Sequence, residues 1–397
     1  MRSDIEKLQR IANRETRLII GLMSGTSLDG LDVALCSISG SGPQSRVKLR
    51  AFITKSYPET FRMRIRAIFS RHDADLEKVT IMNAVTGTYH GQLVLECLEE
   101  WGIKPQEIDL VASHGQTIYH APAAFHGQND LPDATLQIGD GDHVAVKTGI
   151  ITMSDFRQKH IAAGGEGAPL AVYGDYLIFS EAGENRMMLN IGGIANFTFL
   201  PGDLDASRVF SSDVGTGNTL MDAQMQQHFG KAFDEDAAIA RSGTVNETLL
   251  ESLFHHPFFT MDLPKTTGPE LFNATYLHRA QSESNTLYIP QADVMATLNR
   301  FSAEGILRAM KSCFQGEKFS VYASGGGMHN PMLMDHIRRS LPGVPIRNTQ
   351  DLGIDPDAKE AVLFAVLANE NIAGNRVDFG KRGKIPAVTM GKISFPA

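Results

Sequence analysis

The segment from residue 18 to residue 39 constrains the fold most, because two apolar runs flank a short polar turn that contains glycine. Residues 18–23 and 31–38 have the length and apolar content of strands, which predicts a β-hairpin. Gly25 and Gly30 let the backbone of the turn approach a ligand closely and present N–H groups to it. An ordinary hairpin with a polar tip is the alternative at this point.

The side chains of this turn are suited to a phosphate group. Serine and threonine hydroxyls donate hydrogen bonds, and the carboxylates of Asp29 and Asp32 can hold Mg²⁺ directly or through water. The turn does not match G-x-x-x-x-G-K-[ST], and a strand rather than a helix follows it. The turn is therefore a candidate phosphate site within a hairpin, and its residues are Gly25, Thr26, Ser27, Leu28, Asp29, Gly30, Leu31 and Asp32.

The second half of the chain repeats this arrangement. Residues 186–191 and 194–200 read as strands on either side of Gly192 and Gly193, and Asn196 follows in the second strand. Further on, a strand over residues 318–323 precedes three glycines, which leave a flat surface for an adenine. We predict two similarly built domains, residues 1–183 and 184–397, that face a nucleotide cleft, with further ATP contacts from Gly192, Gly193, Asn196, Gly325, Gly326 and Gly327.

Composition excludes several classes of protein. The 397 residues suggest two or three domains, and the net charge of −8, without a cluster of Lys and Arg, disfavours a nucleic-acid partner. Three widely spaced cysteines argue against disulfides or a zinc site and favour a reducing compartment. No signal-peptide pattern and no apolar run of membrane-spanning length occurs. We expect a cytoplasmic protein without a membrane partner.

Seven strings in order along residues 18–393 resemble the motifs of the anhydro-N-acetylmuramic acid kinases, which belong to the actin, chaperone and sugar-kinase superfamily. They include GLMSGTSLDGLD, SHGQT, TLQIGD, DFRQKHIAAGGEGAPL, LNIGG, DVGTGN and PKTTGPE. The resemblance implies an α/β fold of two similar ribonuclease-H-like or actin-like ATPase domains, with a nucleotide and sugar cleft between them. It also implies ATP and Mg²⁺ as cofactors, a small sugar as substrate and a homodimer.

Polar residues follow the apolar strand 110–112, at the carboxyl end where α/β folds place ligands. A structural histidine is the alternative for His114, but the resemblance favours sugar contacts from His114, Gln116 and Thr117. Arg157 can clamp a carboxylate, such as a lactyl group, through its planar guanidinium, unless it forms a structural pair with Asp155.

The resemblance also assigns Glu360 to the sugar. In its first half the chain departs from the family at three positions: Lys159 and His160 stand where Arg and Asp are typical, and Glu166 stands where Gln is typical. These departures concern fine contacts to the substrate and not the fold.

Asp213 ends a predicted strand over residues 209–212, beside the start of a helix. Helix N-termini stabilise negative charge, and a general base needs a nearby water and a suitable pKa. The matching family motif has its general base at this position, so the resemblance assigns that role to Asp213. A helix cap or an Mg²⁺ ligand is the alternative. Lys265 is expected to be a surface lysine, and Pro269 replaces a typical Arg.

The resemblance implies that ATP, water and 1,6-anhydro-N-acetylmuramic acid give N-acetylmuramic acid 6-phosphate and ADP, a step in cell-wall recycling. Two alternatives stay open. In an ordinary sugar kinase, Asp213 would deprotonate a hydroxyl and no ring would be hydrolysed. In a non-catalytic nucleotide switch of the actin kind, no sugar would be phosphorylated, although the polar strings SHGQT and DFRQ argue against it.

Overall fold

The computed structural model describes residues 3–128, 130–168, 170–314, 316–380 and 385–397. The chain forms two compact units, one from Met1–Ser180 together with Gly353–Ala397, and one from Glu181–Leu352.

Near the start of the first unit, three antiparallel strands form a meander. A long helix follows, and then further strands, two of which join the sheet by parallel pairing. Its strands up to residue 180 are β1 (Thr16–Ser24), β2 (Gly30–Ser39), β3 (Arg46–Ser56), β4 (Leu110–Ala121), β5 (Ala134–Ile138) and β6 (Thr152–Ser154). Its helices are α1 (Ser3–Ala12), α2 (Glu59–Arg66), α3 (Leu76–Glu100), α4 (Ala123–His126), α5 (Gly141–Thr148), α6 (Phe156–Ala162) and α7 (Ala171–Phe179).

The second unit also has three consecutive strands that are followed by helices and then by further strands. Its strands are β7 (Asn185–Ile191), β8 (Ile194–Leu200), β9 (Phe210–Thr216), β10 (Phe319–Ser324) and β11 (Ile346–Asn348). Its helices are α8 (Thr219–Phe229), α9 (Ala238–Ser242), α10 (Glu247–Leu253), α11 (Ala274–Glu283), α12 (Gln291–Cys313) and α13 (Pro331–Ser340). The chain then returns to the first unit through α14 (Lys359–Ala373) and β12 (Lys392–Ser394).

Five strands of the first sheet have the same order and pairing directions as the five strands of the second. The first runs β12-β6-β4-β1-β2-β3, with β5 paired to β4, and the second runs β11-β10-β7-β8-β9. In both sheets the first three strands along the chain pair antiparallel. Strand β1 also pairs in parallel with β4, which pairs in parallel with β6. In the same way, β7 pairs in parallel with β10, which pairs in parallel with β11. The predicted α/β fold of two similarly built domains is confirmed.

The structure corrects the predicted division at residues 183 and 184, because Gly353–Ala397 belongs to the first unit. Helix α14 packs on β1, where a Cβ placed on Gly21 would lie 1.8 Å from the carbonyl oxygen of Ala361. On the other face, Ile20 and Leu22 join the apolar cluster that includes the buried side of α3. Helices therefore cover both faces of this sheet at β1, which explains the uninterrupted apolar run of residues 18–23 in that strand.

Two strands reach further than their sequence patterns predict. Strand β4 continues through SHGQT to Ala121, so His114 and Gln116 lie within a strand and not in a loop after it. Strand β9 continues to Thr216, so Asp213 lies inside the strand and not at its end. In both cases ladder pairing with a neighbouring strand outweighs the local polar composition. Of the helices in the described part of the chain, none combines the length and apolarity needed to span a bilayer.

Candidate active site

The turn of the first hairpin combines exposed polar side chains with buried anchors. Thr26, Ser27 and Asp29 are exposed, whereas Leu28 and Leu31 belong to the apolar core of the first unit. Leu28 has a φ of 60°, a left-handed conformation that a leucine rarely adopts. Leu28 and Leu31 can therefore offer a ligand only their backbone groups, while the other three can offer side chains as well.

Packing requires only one of the two glycines in this turn. A Cβ on Gly30 would lie 2.6 Å from the carbonyl oxygen of Lys55, so the approach of β3 already requires a glycine there. A Cβ on Gly25 would meet only the Ser27 hydroxyl, at an ordinary 3.5 Å. Packing therefore does not require a glycine at position 25, and the backbone at this position is accessible to a ligand.

A buried hydrogen-bond chain holds the base of the turn. The hydroxyl of Ser24 donates to Gln116 Oε1 at 2.5 Å, and the hydroxyl of Tyr57 donates to Ser24 Oγ at 2.8 Å. Tyr57 Oη also lies 2.8 Å from His90 Nε2, and Gln116 Nε2 donates to the carbonyl of Gly25. Gln116 therefore turns its amide toward the candidate phosphate turn, which connects two motifs that the sequence presents separately.

Carboxylates lie near this turn. Asp32 accepts a hydrogen bond from Thr54 Oγ1 at 2.6 Å, and its pKa is raised, first by burial and then by the charges of Asp29 and Asp357. The exposed Asp29 accepts from the Ser27 hydroxyl, which lowers the pKa of that carboxyl. Within the described ranges, no three His, Cys, Asp or Glu side chains gather closely enough to bind a metal ion on their own.

Arg157 is bound to the chain on two sides. Its Nε donates to Nε2 of the buried His114 at 3.0 Å, and its Nη1 donates to the carbonyl of Gly167 at 2.7 Å. Nη2 makes no hydrogen bond to the described residues. The alternative pair with Asp155 is not formed, because Asp155 pairs with Lys392 instead. His114 thus contacts Arg157 directly, and burial lowers its pKa to about 3, which keeps its ring neutral.

Thr117 and Glu360 complete the predicted sugar contacts of the first unit. Thr117 is partly buried, and its hydroxyl accepts from Gln137 Nε2 at 3.2 Å. Glu360 lies in the first turn of α14, where the helix dipole favours a carboxylate. Loss of solvent around its carboxylate and repulsion from Asp32 raise its pKa, which the charge of Arg157 opposes. Arg157 and Glu360 are therefore electrostatic neighbours.

The second unit brings two predicted residues side by side. Asn196 on β8 pairs directly with Asp213 on β9, next to a register shift in the ladder. The backbone N–H of Asp213 donates to the carbonyl of Lys265 at 2.9 Å, and Asp213 Oδ2 accepts the N–H of Thr267 at 2.8 Å. Oδ1 makes no hydrogen bond to the described residues. Asp213 is therefore a fixed carboxylate that keeps one oxygen available.

The pKa of Asp213 is raised, first by burial and then by the charge of Glu270, while the N–H of Thr267 opposes the shift. Glu270 folds back over Gly268, where a Cβ would lie 2.2 Å from one of its carboxylate oxygens. Lys265 is only partly exposed: its Nζ donates to the carbonyl of Phe258 and lies 4.4 Å from the centre of the Phe258 ring. The raised pKa suits a carboxylate that accepts a proton.

The three glycines predicted to contact adenosine, Gly325–Gly327, also differ in whether packing requires them. Cβ atoms on Gly325 and Gly327 would lie 2.6 Å and 2.2 Å from side-chain atoms of Asn190 and Ile191, so packing already requires these two glycines. A Cβ on Gly326 would have as its nearest neighbour Asn218 Nδ2, at 3.9 Å. Only Gly326 of the three leaves its α-carbon free for a flat ligand.

At the second hairpin, a Cβ on Gly192 would meet ordinary contacts from 3.5 Å, and one on Gly193 would lie 2.8 Å from the Thr219 hydroxyl. The carbonyls of both glycines accept N–H groups from residues 217–219, at the start of α8. The hairpin turn is thereby tied to the chain that follows Asp213.

Several residues of these constellations are missing from the sequence-based predictions. Tyr57 and His90 lie outside the motifs and far apart in the chain, so nothing local marks their contact. Thr267 and Glu270 lie within the string PKTTGPE, where the sequence-based predictions concern only Lys265 and Pro269. The sequence signal for Thr267 and Glu270 is a carboxylate that lies close to a turn within one motif.

The duplicated topology, with a glycine-bearing hairpin in each unit and Asp213 paired to a strand of the second hairpin, places the chain among α/β proteins built from two similar domains. The family model of the anhydro-N-acetylmuramic acid kinases matches residues 17–392.

The chain belongs to the anhydro-N-acetylmuramic acid kinase family, as its motifs predict. A protein named anhydro-N-acetylmuramic acid kinase from Pseudoalteromonas atlantica is 57% identical to it, over 100% of both chains. One with the same name from Pseudoalteromonas translucida is 53% identical, also over 100% of both. A third, from Caldanaerobacter subterraneus, is 39% identical over 98% of this chain and 100% of its own. The prediction of a sugar kinase, rather than a nucleotide switch, is confirmed.

Proposed function

We propose that this kinase hydrolyses the 1,6-anhydro ring of its sugar and phosphorylates the oxygen thus released. The observation that carries the proposal is Asp213, a fixed carboxylate with one oxygen held by Thr267 N–H and the other without a hydrogen bond to the described chain. Its raised pKa makes it a better proton acceptor than an ordinary aspartate that is equally ionised.

The chemistry couples two displacements. Water attacks the anomeric carbon while the bond from that carbon to O6 breaks, and Asp213 takes the proton that the water loses. The electron pair of the broken bond stays on O6, which bonds to the γ-phosphorus of ATP as ADP leaves. ATP, water and 1,6-anhydro-N-acetylmuramic acid are thereby converted to N-acetylmuramic acid 6-phosphate and ADP, with every atom accounted for.

The phosphates of ATP would be bound by backbone N–H groups and hydroxyls of the hairpin turns. The free α-carbon positions at Gly25 and Gly192 and the hydroxyls of Thr26 and Ser27 support this role. Gly326 supports an adenosine surface. Such preorganised donors stabilise charge on the transferred phosphoryl group, which is the main requirement of phosphoryl transfer.

Asp29 and Asp32 fit Mg²⁺, because their mutual repulsion contributes to the raised pKa of Asp32 and a cation would relieve it. When bound, Mg²⁺ would neutralise charge on the phosphates. Since the described residues contain no cluster of three metal-binding side chains, phosphate oxygens and water would complete the coordination.

The sugar would be bound by Arg157, Glu360 and the residues of the SHGQT string. With Nε and Nη1 occupied, Nη2 of Arg157 is the nitrogen available for the lactyl carboxylate. This substrate places the enzyme in peptidoglycan recycling. Three cysteines that form no disulfide agree with a cytoplasmic location, and the family resemblance supports a homodimer.

The decisive experiment is turnover of the anhydro sugar with ATP and Mg²⁺ in oxygen-18 water, read by mass spectrometry. Ring hydrolysis places the label on C1 of the phosphorylated product. An ordinary sugar kinase of this fold would leave the product without label. Unlabelled product incubated in the same water measures exchange at the anomeric hydroxyl and is subtracted.

A further inference from the structure

We propose that His160 is a positioning residue for substrate binding: it holds the glycine loop 164–167 so that the carbonyl of Gly167 fixes the guanidinium of Arg157. The inference rests on the proposed function, since it assigns Arg157 to the acidic substituent of the sugar.

His160 is built into the core of the first unit. It is buried, and its Nδ1 accepts the backbone N–H of Gly167 at 3.0 Å. A Cβ on Gly165 would lie 2.2 Å from the imidazole, so the loop passes against the ring. The rings of His160 and Tyr173 form a T-shaped pair with centroids 5.8 Å apart, and the Tyr173 hydroxyl donates to the carbonyl of Pro386 at 2.6 Å. The imidazole therefore has one packed orientation.

The same loop residue then contacts Arg157. Gly167 donates its N–H to His160 and accepts Nη1 of Arg157 through its carbonyl at 2.7 Å, with a φ of 78° that favours glycine. Nε of Arg157 donates to His114 at 3.0 Å. Because the guanidinium is planar, these two contacts fix its plane and the direction of Nη2. Any movement of Gly167 turns that plane.

The contact requires an unprotonated Nδ1, because a doubly protonated imidazole only donates. Burial, followed by the nearby charge of Arg157, lowers the pKa of His160 to about 4, so the ring is neutral at ordinary pH. His160 can therefore accept the Gly167 N–H throughout the range in which a kinase is normally assayed.

The test compares His160→Phe, which keeps a ring but lacks the acceptor, with His160→Asn, whose side-chain oxygen can replace Nδ1. Steady-state kinetics are measured with 1,6-anhydro-N-acetylmuramic acid and with the analogue that lacks the lactyl group. We expect His160→Phe to raise KM for the acidic sugar about fivefold to tenfold, the loss expected from one misaligned charged hydrogen bond. KM for ATP and for the neutral analogue stays unchanged, and His160→Asn restores the acidic-sugar KM.

Arg157→Ala is the reference variant for the positioning role of His160 and for the carboxylate-binding role of Arg157. If His160 acts through Arg157, His160→Phe has no further effect on KM for the acidic sugar in the Arg157→Ala background. Equal losses for both sugars, or additive losses in the double variant, would overturn the inference. If Arg157→Ala itself does not distinguish the two sugars, the proposed role of Arg157 fails instead. Should His160→Phe not fold, His160→Ala carries the same expectation.

Discussion

Replacement of Asp213 by asparagine separates its proposed role as a base from every other role of this residue. The asparagine side-chain oxygen can still accept the N–H of Thr267, which the aspartate does at 2.8 Å, and the pairing of β9 with β8 involves only the backbone. The variant therefore keeps the geometry and loses only the capacity to take a proton. The loss expected for a positioned general base is about 10²- to 10⁴-fold in kcat.

Stability gives an independent measurement on the same variant. The pKa of Asp213 is raised in the folded protein, so protonated Asp213 favours folding below the unfolded-state pKa, and this contribution is lost as pH rises through the folded pKa. At neutral pH the ionised carboxylate costs stability. Asp213→Asn should therefore unfold at the same temperature as the parent chain or at a higher one, even though it is nearly inactive.

The pH dependence of kcat completes the test. Because the base must be ionised, the rate of the parent enzyme should fall on the acid side at a pH above that of an ordinary aspartate. Glu270→Gln is the matched control: it removes the like charge beside Asp213, so this acid limb should move to lower pH. Full activity of Asp213→Asn would refute the assignment, and the melting temperature of the variant shows that any lost activity is not caused by unfolding.

Three further substitutions test the packing around the proposed sites. Gly21→Ala places a Cβ 1.8 Å from the carbonyl oxygen of Ala361, and it should lower the free energy of unfolding by about 1–3 kcal/mol or more in urea titrations. Gly326→Ala has its nearest neighbour, Asn218 Nδ2, at 3.9 Å, so stability should change by less than about 0.5 kcal/mol. Its Kd for ATP should nevertheless rise, as measured by calorimetry; an unchanged Kd would remove adenosine from this position. Tyr57→Phe leaves two buried partners without its hydroxyl and should cost about 1–3 kcal/mol, with weaker ATP binding; an unchanged melting temperature would contradict the role of this chain.

The two hairpins could be predicted from the sequence because their signal is local. Apolar runs of strand length flank glycine turns, and both pairs form as predicted over residues 16–39 and 185–200. Their repetition, joined with the family motifs, was enough to predict a duplicated α/β fold. The division into domains could not be read in the same way, because the apolar residues of α14 do not reveal which of two sheets the helix covers.

The candidate site was predicted in its residue types but not in its connections. The bond between His114 and Arg157 joins positions 43 residues apart, and the pairing of Asn196 with Asp213 depends on the register of two strands. Neither follows from spacing. The role of His160 was also not visible, because its sequence position shows only a departure from the family pattern. The assigned roles of these residues stay predictions until the kinetics are measured.

The return of residues 353–397 to the first unit has a consequence for biosynthesis. The ribosome produces the candidate phosphate turn at residues 25–32 early, but α14, the helix that covers β1, emerges only after all of Glu181–Leu352. Until then β1 lacks the partner that seals one of its faces, and an apolar surface stays open on the nascent chain. Truncation of the C-terminus would therefore destabilise β1, which is among the first segments to be synthesised.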